Sequence, residues 1–503
     1  MSTGRAEPLF ELALDRASNG AHPSSQALYA QLRDAIVDGR LAAGAKLPPT
    51  RRSAAYFGVS RNTAADVYER LMNDGFVVTR PRAGTYVADA LPAPAPATPA
   101  DVPGAPDRRL NPFWMRPDVT EAIGFWRDRA EREQPPDVAL VDFRPALVDV
   151  RLFPYDVLRR TIAQPLLGLE KRPPRPKSAQ GNAGSHALRE AITKHIALTR
   201  AVACRAGDVV VTSGAQQAFD LLARVLVEQN RTVVAVEDPG YPPLRVAFAA
   251  AGATVVPVEV DADGLVVERI PSDAAVICVS PSHQFPLGVT MSAPRRAALV
   301  AFARRRGAVI VEDDYDGEFR YDGSPLQALH SADAADVVFY VGTFSKCMLP
   351  SLRLGFVVAP GWALRALVTA KNALDWHCSV PVQLGVAGFI AGGHLTHHVR
   401  RMRRVYAERR TSLLAALRDD LGAWLEPLPS FYGMHVAALA RTPLDLEPVA
   451  DALLRRGVNV HTLARYHLGP APRAGLVFGY GAAGVPEIRR GLTLVREAFA
   501  HLT

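Results

Sequence analysis

Apolar residues near the amino terminus recur at the spacing of helices. Four of them between positions 26 and 37 lie on one helical face, which predicts a first helix ending before Gly39. A second helix is predicted from Thr50, an early cap that follows two prolines, to Gly58, a residue suited to the left-handed position that ends a helix. The pattern therefore predicts two helices before residue 59.

A third helix and a β-hairpin follow. Ser60 is positioned to cap a helix that runs to about Asn73, with its apolar residues on one face. Short β-branched and aromatic runs at 76–78 and 85–87 flank a basic tip at 80–84, which predicts two strands joined by a turn. The order of these elements predicts a winged helix-turn-helix.

Strand-like and helix-like runs alternate in the long carboxy-terminal part of the chain, which predicts an α/β fold class. Short continuous apolar runs, each followed by polar, glycine-rich or proline-rich residues, are typical of buried strands in an open sheet. These runs are 209–211, 233–236, 276–279, 309–311 and 337–341, and a further strand is predicted at 476–479.

A proline-rich stretch at 89–112 separates the two parts. Its seven prolines remove amide donors and no apolar period is present, so it predicts an extended linker. The domains are accordingly expected at 1–88 and 113–503, with a small carboxy-terminal subdomain at about 375–503.

Composition excludes several classes of protein. Of the 503 residues, 49% are hydrophobic and 21% charged, as in ordinary globular proteins. No apolar run has the length of a membrane helix, and the amino terminus mixes acids and bases, so a cytoplasmic protein without a membrane partner is expected. The four cysteines form no CxxC pair and the histidines no spaced set with acids, which predicts no metal site.

Positive charge is concentrated in the predicted winged helix. Residues 46–86 hold seven bases and three acids, in a chain with a net charge of +8. A basic surface on such a fold favours double-stranded DNA as the partner. The candidate contacts are Arg51, the first turn of the third helix (Ser60, Arg61, Asn62, Thr63) and the wing (Arg80, Arg82, Gly84). The alternative is a three-helix interaction module with solvated arginines.

This segment resembles the winged helix-turn-helix of GntR-type transcriptional regulators. The resemblance covers about residues 26–88, including LPPTRRSAAYFGVSRNTAADVYERLMNDGFVVTRPRAGTYV. It implies phosphate or base contacts by Arg51, Ser60, Arg61, Thr63 and the wing from Arg82 to Gly84.

Polar pieces follow the predicted strands of the sheet, and ligands of doubly wound sheets lie at the carboxyl ends of strands. We therefore expect these pieces to converge on one site. They are Ser213-Gly214-Ala215-Gln216, Glu237-Asp238-Pro239-Gly240-Tyr241, Ser280-Pro281-Ser282-His283-Gln284, Glu312-Asp313-Asp314-Tyr315 and Gly342-Thr343-Phe344-Ser345-Lys346.

Together these residue types fit pyridoxal 5'-phosphate. A helix start after Gly214 offers amides to a phosphate, to which Thr343, Ser345 and Arg353 add hydroxyls and a cation. The aromatic face of Tyr241 suits a flat ring. Asp313 suits a protonated pyridine nitrogen and Tyr315 a ring oxygen, while Lys346 supplies the amine for a Schiff base.

The carboxy-terminal part resembles the fold-type I, aminotransferase-like domain of MocR-type regulators, in which a GntR winged helix precedes a pyridoxal phosphate domain. The quoted similarity includes VVVTSGAQQAFDLLARVL, EDPGYPPLR, SPSHQFPLGVTMS, VEDDYDGEFRYDG and YVGTFSKCMLPSLRLGFV. It implies an open, mostly parallel sheet with flanking helices, a smaller α+β subdomain and a homodimer. It also implies the roles given above for Lys346, Asp313, Tyr315, Tyr241 and Arg353.

Three positions depart from the family pattern. Gln180-Gly181-Asn182-Ala183 replaces a Tyr-Gly-Asp-Pro sequence whose tyrosine reaches the neighbouring subunit's phosphate, and Phe285-Pro286-Leu287-Gly288 replaces Asn-Pro-Thr-Gly. The second change leaves Gln284 as the nearest amide to the cofactor. No arginine occupies the strand at 476–479, so Arg473 and Arg245 are the candidate effector contacts.

The primary hypothesis is a transcriptional regulator that senses pyridoxal phosphate or an amine or amino-acid effector. The alternative is a working aminotransferase that carries a DNA-binding head, with Lys346 also moving protons. The three departures from the family pattern argue against full transamination. A domain that serves only for dimerisation conflicts with the retained lysine, aspartate, tyrosines and arginine.

Overall fold

The computed structural model describes residues 25–81, 83–89, 109–124, 140–171 (apart from the side chain of Leu169), 181–321, 326–333 and 336–501. The chain divides into two compact units, Met1–Asp107 and Arg108–Thr503. We call them the head and the body. The division falls within the proline-rich stretch, most of which lies outside the described residues.

The head is a small helical domain with a β-hairpin. It contains α1 (Ser25–Val37), α2 (Thr50–Phe57), α3 (Arg61–Asn73), β1 (Val77–Arg80) and β2 (Gly84–Val87). The strands pair antiparallel. Leu32, Val67 and Leu71 are completely buried in a cluster that includes residues of both strands, so the apolar stripes of the helices and the hairpin share one core. The predicted winged helix-turn-helix is confirmed.

Capping residues set the ends of α2 and α3. Gly58 ends α2 in the left-handed conformation at φ +68°. The hydroxyl of Ser60 accepts a hydrogen bond from the amide of Thr63 at 3.0 Å and so caps α3 as predicted. The expectation for Thr50 was wrong, because Thr50 is already the first helical residue and Pro49 occupies the cap position without a side-chain bond.

The body begins with one short helix and a two-residue strand and then forms a large α/β layer. In chain order its elements are α4 (Pro117–Ile123), β3 (Val141–Asp142), α5 (Tyr155–Lys171), α6 (His186–Arg200), β4 (Val209–Thr212), α7 (Ala215–Leu226), β5 (Val233–Asp238), α8 (Pro242–Ala250), β6 (Thr254–Asp261), β7 (Gly264–Leu265), β8 (Ala274–Val279), α9 (Ala293–Arg306), β9 (Val309–Asp314), β10 (Val338–Thr343) and β11 (Gly355–Val358).

The second half of the body is mostly helical, with one smaller sheet. Its elements are α10 (Gly361–Leu374), α11 (Val380–Ala391), α12 (His394–Asp419), β12 (Leu425–Pro427), β13 (His435–Ala440), α13 (Glu447–Arg455), β14 (Val458–Asn459), β15 (His461–Thr462), β16 (Gly475–Gly479) and α14 (Val485–Ala500). None of the described helices is long and apolar enough to cross a membrane.

Eight strands form the large sheet, in the order β4-β11-β10-β9-β8-β5-β6-β7. The neighbours from β10 through β6 pair in parallel, whereas β11 pairs antiparallel with both β10 and β4. The five strands predicted in this region are all present. The structure adds β6, β7 and β11, of which β6 is partly exposed and β11 spans four residues.

Both faces of the large sheet are covered, which explains the continuous apolar runs. Val276 and Cys278 of β8 pack into a core with α7, α8 and α10. Ile277 and Val279 of the same strand pack on the opposite face with Leu299 of α9. Since both sets of alternate side chains are buried, no polar alternation is present in these strands.

The smaller sheet has the order β12-β13-β16-β15 and packs with α12, and its buried residues share one core cluster with buried residues of α14. All four of its strands come from residues after 375, but a separate two-stranded sheet joins this part of the body to an earlier segment. β3 pairs in parallel with β14, and Phe143 packs edge-on against Phe478 with ring centroids 5.6 Å apart. The segment that precedes the large sheet therefore packs against the carboxy-terminal part of the body.

Candidate functional site

A cavity of about 1300 Å³ lies at the carboxyl ends of the parallel strands. This is where the topology of an open α/β sheet places a ligand. Nine residues predicted for the cofactor site line the cavity: Ala215, Gln216, Tyr241, Asp313, Tyr315, Thr343, Ser345, Lys346 and Arg353.

Lys346 follows β10 and reaches the body's amino-terminal segment. Its Nζ donates a hydrogen bond to the carbonyl oxygen of Ala146 at 2.7 Å. Burial disfavours the ammonium form and lowers the pKa of Lys346 to about 8, although Asp316 and Asp313 oppose the shift. A substantial neutral fraction of this amine is therefore present at mildly alkaline pH, as a nucleophilic lysine requires.

Asp313 lies near the end of β9 and lines the cavity. Its side chain is buried, and Oδ1 has no hydrogen-bond partner among the described residues. Burial, reinforced by Asp314, raises the pKa of Asp313 to about 8. An unpaired buried carboxylate oxygen is costly unless a ligand supplies a donor or a cation. A protonated pyridine nitrogen fits this requirement.

The start of α7 lies beside Arg353. Gly214 occupies the helix cap with φ +79°, and Arg353 donates from Nη2 to the carbonyl oxygen of Ser213 at 3.1 Å. The hydroxyl of Thr343 donates to Ser345 Oγ at 3.1 Å and accepts from the amide of Ser345. Helix amides, hydroxyls and a guanidinium are the groups that bind phosphate.

Two aromatic rings form one wall of the cavity. Tyr241 lies at the cap of α8, and its ring packs edge-on against that of Phe285 with centroids 5.8 Å apart. Gln284 does not line the cavity. Its side chain is buried, and its Nε2 donates to the carbonyl oxygens of Pro239 at 2.7 Å and Phe285 at 2.8 Å. The amide thus holds the loop together, which corrects the expectation that it faces the cofactor.

The two arginines expected to contact an effector do not line the cavity. Arg473 is about half-exposed and pairs with Glu426 at 3.7 Å, while Arg245 donates to the carbonyl oxygen of Tyr466 at 3.2 Å. Arg144 and Arg465 line the cavity instead. Neither arginine follows a strand of the large sheet. The expectation that ligand-binding residues lie at the carboxyl ends of those strands therefore did not identify them.

Tyr315 belongs to a buried cluster that the sequence did not indicate. His283, Asp316 and His435 come together with potential ligand atoms within 4.8 Å of one another. The hydroxyl of Tyr315 lies 2.9 Å from Nδ1 of His283, which is also 2.9 Å from Oδ2 of Asp316. Since Nδ1 is already shared by two oxygens, we interpret the cluster as a hydrogen-bonding network. The sequence feature that could have revealed this cluster is that His283 and Asp316 follow the adjacent strands β8 and β9.

Most of the predicted DNA-binding residues that the structure describes are exposed on the head. Ser60 caps α3 by accepting from the amide of Thr63, and the guanidinium of Arg80 lies 4.6 Å from the ring centroid of Tyr86 and 3.1 Å from Asp89. The exposed members of the set are Arg51, Ser60, Arg61, Asn62, Arg80 and Gly84. Arg82 lies outside the described residues, as does Gln180 of the first family departure.

Comparison with protein families matches both parts of the chain. Residues 24–87 match the bacterial regulatory proteins of the gntR family, and residues 170–474 match aminotransferase class I and II. The gntR match implies that the head binds DNA, and the aminotransferase match implies that the body uses pyridoxal phosphate.

Known proteins resemble the chain over nearly its full length. The probable rhizopine catabolism regulatory protein MocR of Rhizobium meliloti is 34% identical, covering 98% of this chain and 96% of its own. The pyridoxine biosynthesis transcriptional regulator PdxR of Corynebacterium glutamicum is 30% identical, covering 94% and 95%.

Solved aminotransferases share the fold of the body. An archaeal alanine:glyoxylate aminotransferase is 23% identical with a TM-score of 0.70, over 79% of this chain and 99% of its own. LysN of Thermus thermophilus, an α-aminoadipate aminotransferase complexed with N-(5'-phosphopyridoxyl)-L-leucine, is 25% identical with a TM-score of 0.66, over 76% and 97%. With a gntR head and a class I/II aminotransferase body in one chain, this protein belongs to the MocR-type family of pyridoxal phosphate-dependent transcriptional regulators.

Proposed function

We propose that this regulator holds pyridoxal phosphate at Lys346 and changes its affinity for operator DNA when the cofactor, or a primary amine that reacts with it, occupies the cavity. The observation that carries the proposal is the buried Oδ1 of Asp313. It has no partner among the described residues, and Asp313 lines the same cavity as Lys346. Stability alone does not favour such an arrangement, because the unpaired carboxylate costs free energy.

The residues around the cavity match the separate parts of the cofactor. The start of α7 with Gly214, together with Arg353, would hold the phosphate, and Asp313 would pair with the ring nitrogen. Tyr241 and Phe285 supply aromatic contacts for the ring. The bound cofactor supplies an aldehyde that condenses reversibly with primary amines.

The protonation states of Lys346 and Asp313 suit the cavity to bind the cofactor. The lowered pKa of Lys346 keeps part of the amine neutral and nucleophilic near pH 8. A cation beside Asp313 would favour its ionised form and oppose the effect of burial on its pKa. We therefore expect cofactor binding to be coupled to proton release from Asp313.

The helix that follows the linker in the sequence, α4, lines the cavity. Thr120 and Glu121 of α4, with Ile123, line the cavity, and α4 follows the proline-rich stretch in the sequence. A ligand that contacts α4 differently in two arrangements of the body would bias the segment that joins body and head. Such differential affinity is the condition for any ligand to shift DNA binding.

A homodimer would suit both parts of the molecule. Leu166 and Leu167 are neighbours on α5 and each about half-exposed, so a second subunit packed on this helix would bury apolar surface. Two heads carried by one dimer would bind two half-sites together, and the linker would limit their spacing. Sedimentation of the full chain with and without operator DNA would test the dimer.

The test of function is DNA binding by the full chain, with the cofactor absent and then added. Fluorescence anisotropy with the protein's own upstream DNA gives the affinity, while absorbance in the visible region reports reaction of the cofactor with Lys346. A band together with a changed affinity supports the proposal. A band with unchanged affinity, both for the cofactor and for a panel of amines, contradicts it. Sustained turnover with an amino donor and a 2-oxo acid would instead indicate an aminotransferase.

A further inference from the structure

A chain of three hydrogen-bonding side chains leads from the protein interior to the cavity. Asp316 and His283 are 1% and 2% exposed, and Tyr315 is 8% exposed. Nδ1 of His283 lies 2.9 Å from Oδ2 and 3.2 Å from Oδ1 of Asp316, and 2.9 Å from the hydroxyl of Tyr315. Of the three, only Tyr315 lines the cavity.

The surroundings of His283 select one tautomer of the imidazole. Burial raises the pKa of Asp316, but the hydrogen bond with His283 opposes this shift and favours the carboxylate, which can only accept, so Nδ1 carries the hydrogen that points to Asp316. The opposite nitrogen, Nε2, is buried and has no partner among the described residues, which disfavours a hydrogen there. His283 is therefore assigned as neutral, with its hydrogen on Nδ1.

This assignment determines the direction in which Tyr315 donates. Nδ1–H is shared between Asp316 and the phenolic oxygen, so Tyr315 accepts from His283 and cannot donate to it. The hydroxyl hydrogen of Tyr315 must then find an acceptor elsewhere, and the cavity is the side that this residue lines.

Gly433 holds the imidazole in place. Its φ is +75°, and a Cβ there would lie 2.0 Å from Cε1 and 2.3 Å from Nδ1 of His283. The carbonyl oxygen of Gly433 accepts hydrogen bonds from the hydroxyls of Tyr321 at 2.6 Å and Tyr480 at 2.8 Å. Since the backbone is anchored on one side and in contact with the ring on the other, the imidazole has little freedom to turn.

We propose that Asp316 and His283 are positioning residues that force Tyr315 to donate its hydroxyl hydrogen into the cavity, toward the ring oxygen of the cofactor. The role of the ring oxygen rests on the proposed function; the direction of donation rests on the geometry of the three side chains. A donor at this point stabilises the anionic form of the ring oxygen and lowers the pH at which the cofactor-loaded protein changes its visible absorbance.

Several titratable groups from neighbouring elements also face these three residues and contribute to any pH profile. They are Asp313, Asp314, Glu237, Glu318, His435, Lys346 and Tyr480. None of them is changed in the variants below, so their contribution is common to all the proteins compared.

The experiment compares His283→Gln with His283→Asn. The amide nitrogen of asparagine falls near the position of Nδ1 and can donate to Asp316 and Tyr315, whereas that of glutamine falls near Nε2. We expect His283→Gln to raise the pH midpoint of the visible band by about 0.5 to 1 unit, the scale of one hydrogen bond. His283→Asn should stay close to the parent protein, and His186→Gln, an exposed histidine on α6, serves as the control.

A double-mutant cycle separates positioning from a merely structural role. In a Tyr315→Phe background the hydroxyl is absent, so His283→Gln should produce no further shift of the midpoint. Equal shifts in both backgrounds would overturn the proposal. Equal midpoints for His283→Gln and the parent protein would also overturn it.

A measurement without the cofactor tests the tautomer independently. In cofactor-free protein labelled with 15N-histidine, the imidazole signals that disappear in His283→Asn should be those of a neutral ring with the hydrogen on Nδ1. A hydrogen on Nε2 or a charged ring would overturn the inference, even if the visible band is present. A confirmed tautomer in a protein that forms no band would contradict the proposed function while leaving the direction of Tyr315 donation supported.

Discussion

Gly214 and Arg353 pack so closely that a Cβ on residue 214 would lie 3.1 Å from Nη2 and 3.3 Å from Cζ of the arginine. Glycine also suits the backbone of residue 214, where φ is +79°. The guanidinium is held at the start of α7 by its bond to the carbonyl oxygen of Ser213. A Cβ at position 214 would therefore require the guanidinium to shift by a few tenths of an ångström and would strain the backbone at the start of α7.

We expect Gly214→Ala to weaken binding of pyridoxal phosphate by about tenfold, the cost of one charge-assisted hydrogen bond. Titration of the cofactor, followed by visible absorbance, measures this. The matched control is Gly361→Ala at the start of α10, where a Cβ would meet nothing within 4 Å. Unchanged affinity in Gly214→Ala would argue against phosphate binding at α7.

Replacing Lys346 should separate the two functions of the chain. Lys346→Ala removes the amine that lines the cavity, so we expect no visible band and no effect of amines on DNA affinity. The DNA affinity of the cofactor-free protein should stay within about twofold of the parent, since the head keeps its own core. Lys194→Ala, at an exposed position on α6, should behave like the parent protein. A ligand response that persists in Lys346→Ala would contradict the proposed site.

Asp313 is expected to lower stability while it favours cofactor binding. Its pKa in the folded protein is raised to about 8, so the folded state holds this proton more tightly than the unfolded state. The contribution of Asp313 to stability therefore falls as the pH rises from about 4, the ordinary range of a carboxyl, to about 8.

Asp313→Asn cannot ionise and should raise the melting temperature of the cofactor-free protein by a few degrees at pH 8, and by less at pH 5. The same variant should bind pyridoxal phosphate more weakly, because the ring nitrogen loses its anionic partner. Thermal unfolding at both pH values, with and without cofactor, measures this. A variant that is less stable than the parent at pH 8 without cofactor would refute the assignment.

Arg61 is exposed at the first turn of α3, where a contact with DNA phosphate or a base edge is expected. If Arg61 binds phosphate, Arg61→Ala should weaken binding similarly across DNA sequences and reduce the slope of log affinity against log salt by about 1. Anisotropy titrations at several salt concentrations measure the slope. Arg490→Ala, an exposed arginine on α14 of the body, makes the same change of charge and should leave the slope unaltered.

Ser60 should matter for helix stability apart from any contact with DNA. Its hydroxyl caps α3, so Ser60→Ala should destabilise the first turn by about 1 kcal/mol. Hydrogen exchange of the amides around Thr63 would become roughly fivefold faster. Ser60→Asp should restore the cap yet weaken DNA binding through its negative charge. All five tryptophans lie beyond residue 107, so tryptophan fluorescence of the body should not change in either variant.

Local signals in the sequence were sufficient for the helices and hairpin of the head and for five of the eight strands of the large sheet. Gly58 and Ser60 end α2 and cap α3 through short-range contacts, which a sequence pattern can report directly. The strands are recognisable because helices cover both faces of the sheet and make the strands apolar throughout. Their carboxyl ends then locate Asp313 and Lys346 without knowledge of the strand order.

The tertiary structure decided which side chains of those segments face the cavity. Gln284 and Phe285 are adjacent in one loop, but the amide bonds to loop carbonyls and the ring lines the cavity. Arg144 reaches the cavity from a segment that pairs with the carboxy-terminal part of the body, whereas Arg473 is about half-exposed and pairs with Glu426. Which side chain enters the cavity depends on how the chain turns after the last hydrogen bond of a strand. The periodicity of apolar residues carries no information about that turn.

The chain of hydrogen-bonding side chains from Asp316 through His283 to Tyr315 could also be found only in the folded structure. His283, Asp316 and Gly433 come from three loops, and the ring of His283 is held by contacts with both other residues. What the sequence alone determined is the order of elements and the residues at their ends, because these follow from local backbone and burial patterns. What the fold decided is the orientation and protonation of those residues, because these depend on partners that only long-range packing brings within hydrogen-bond distance.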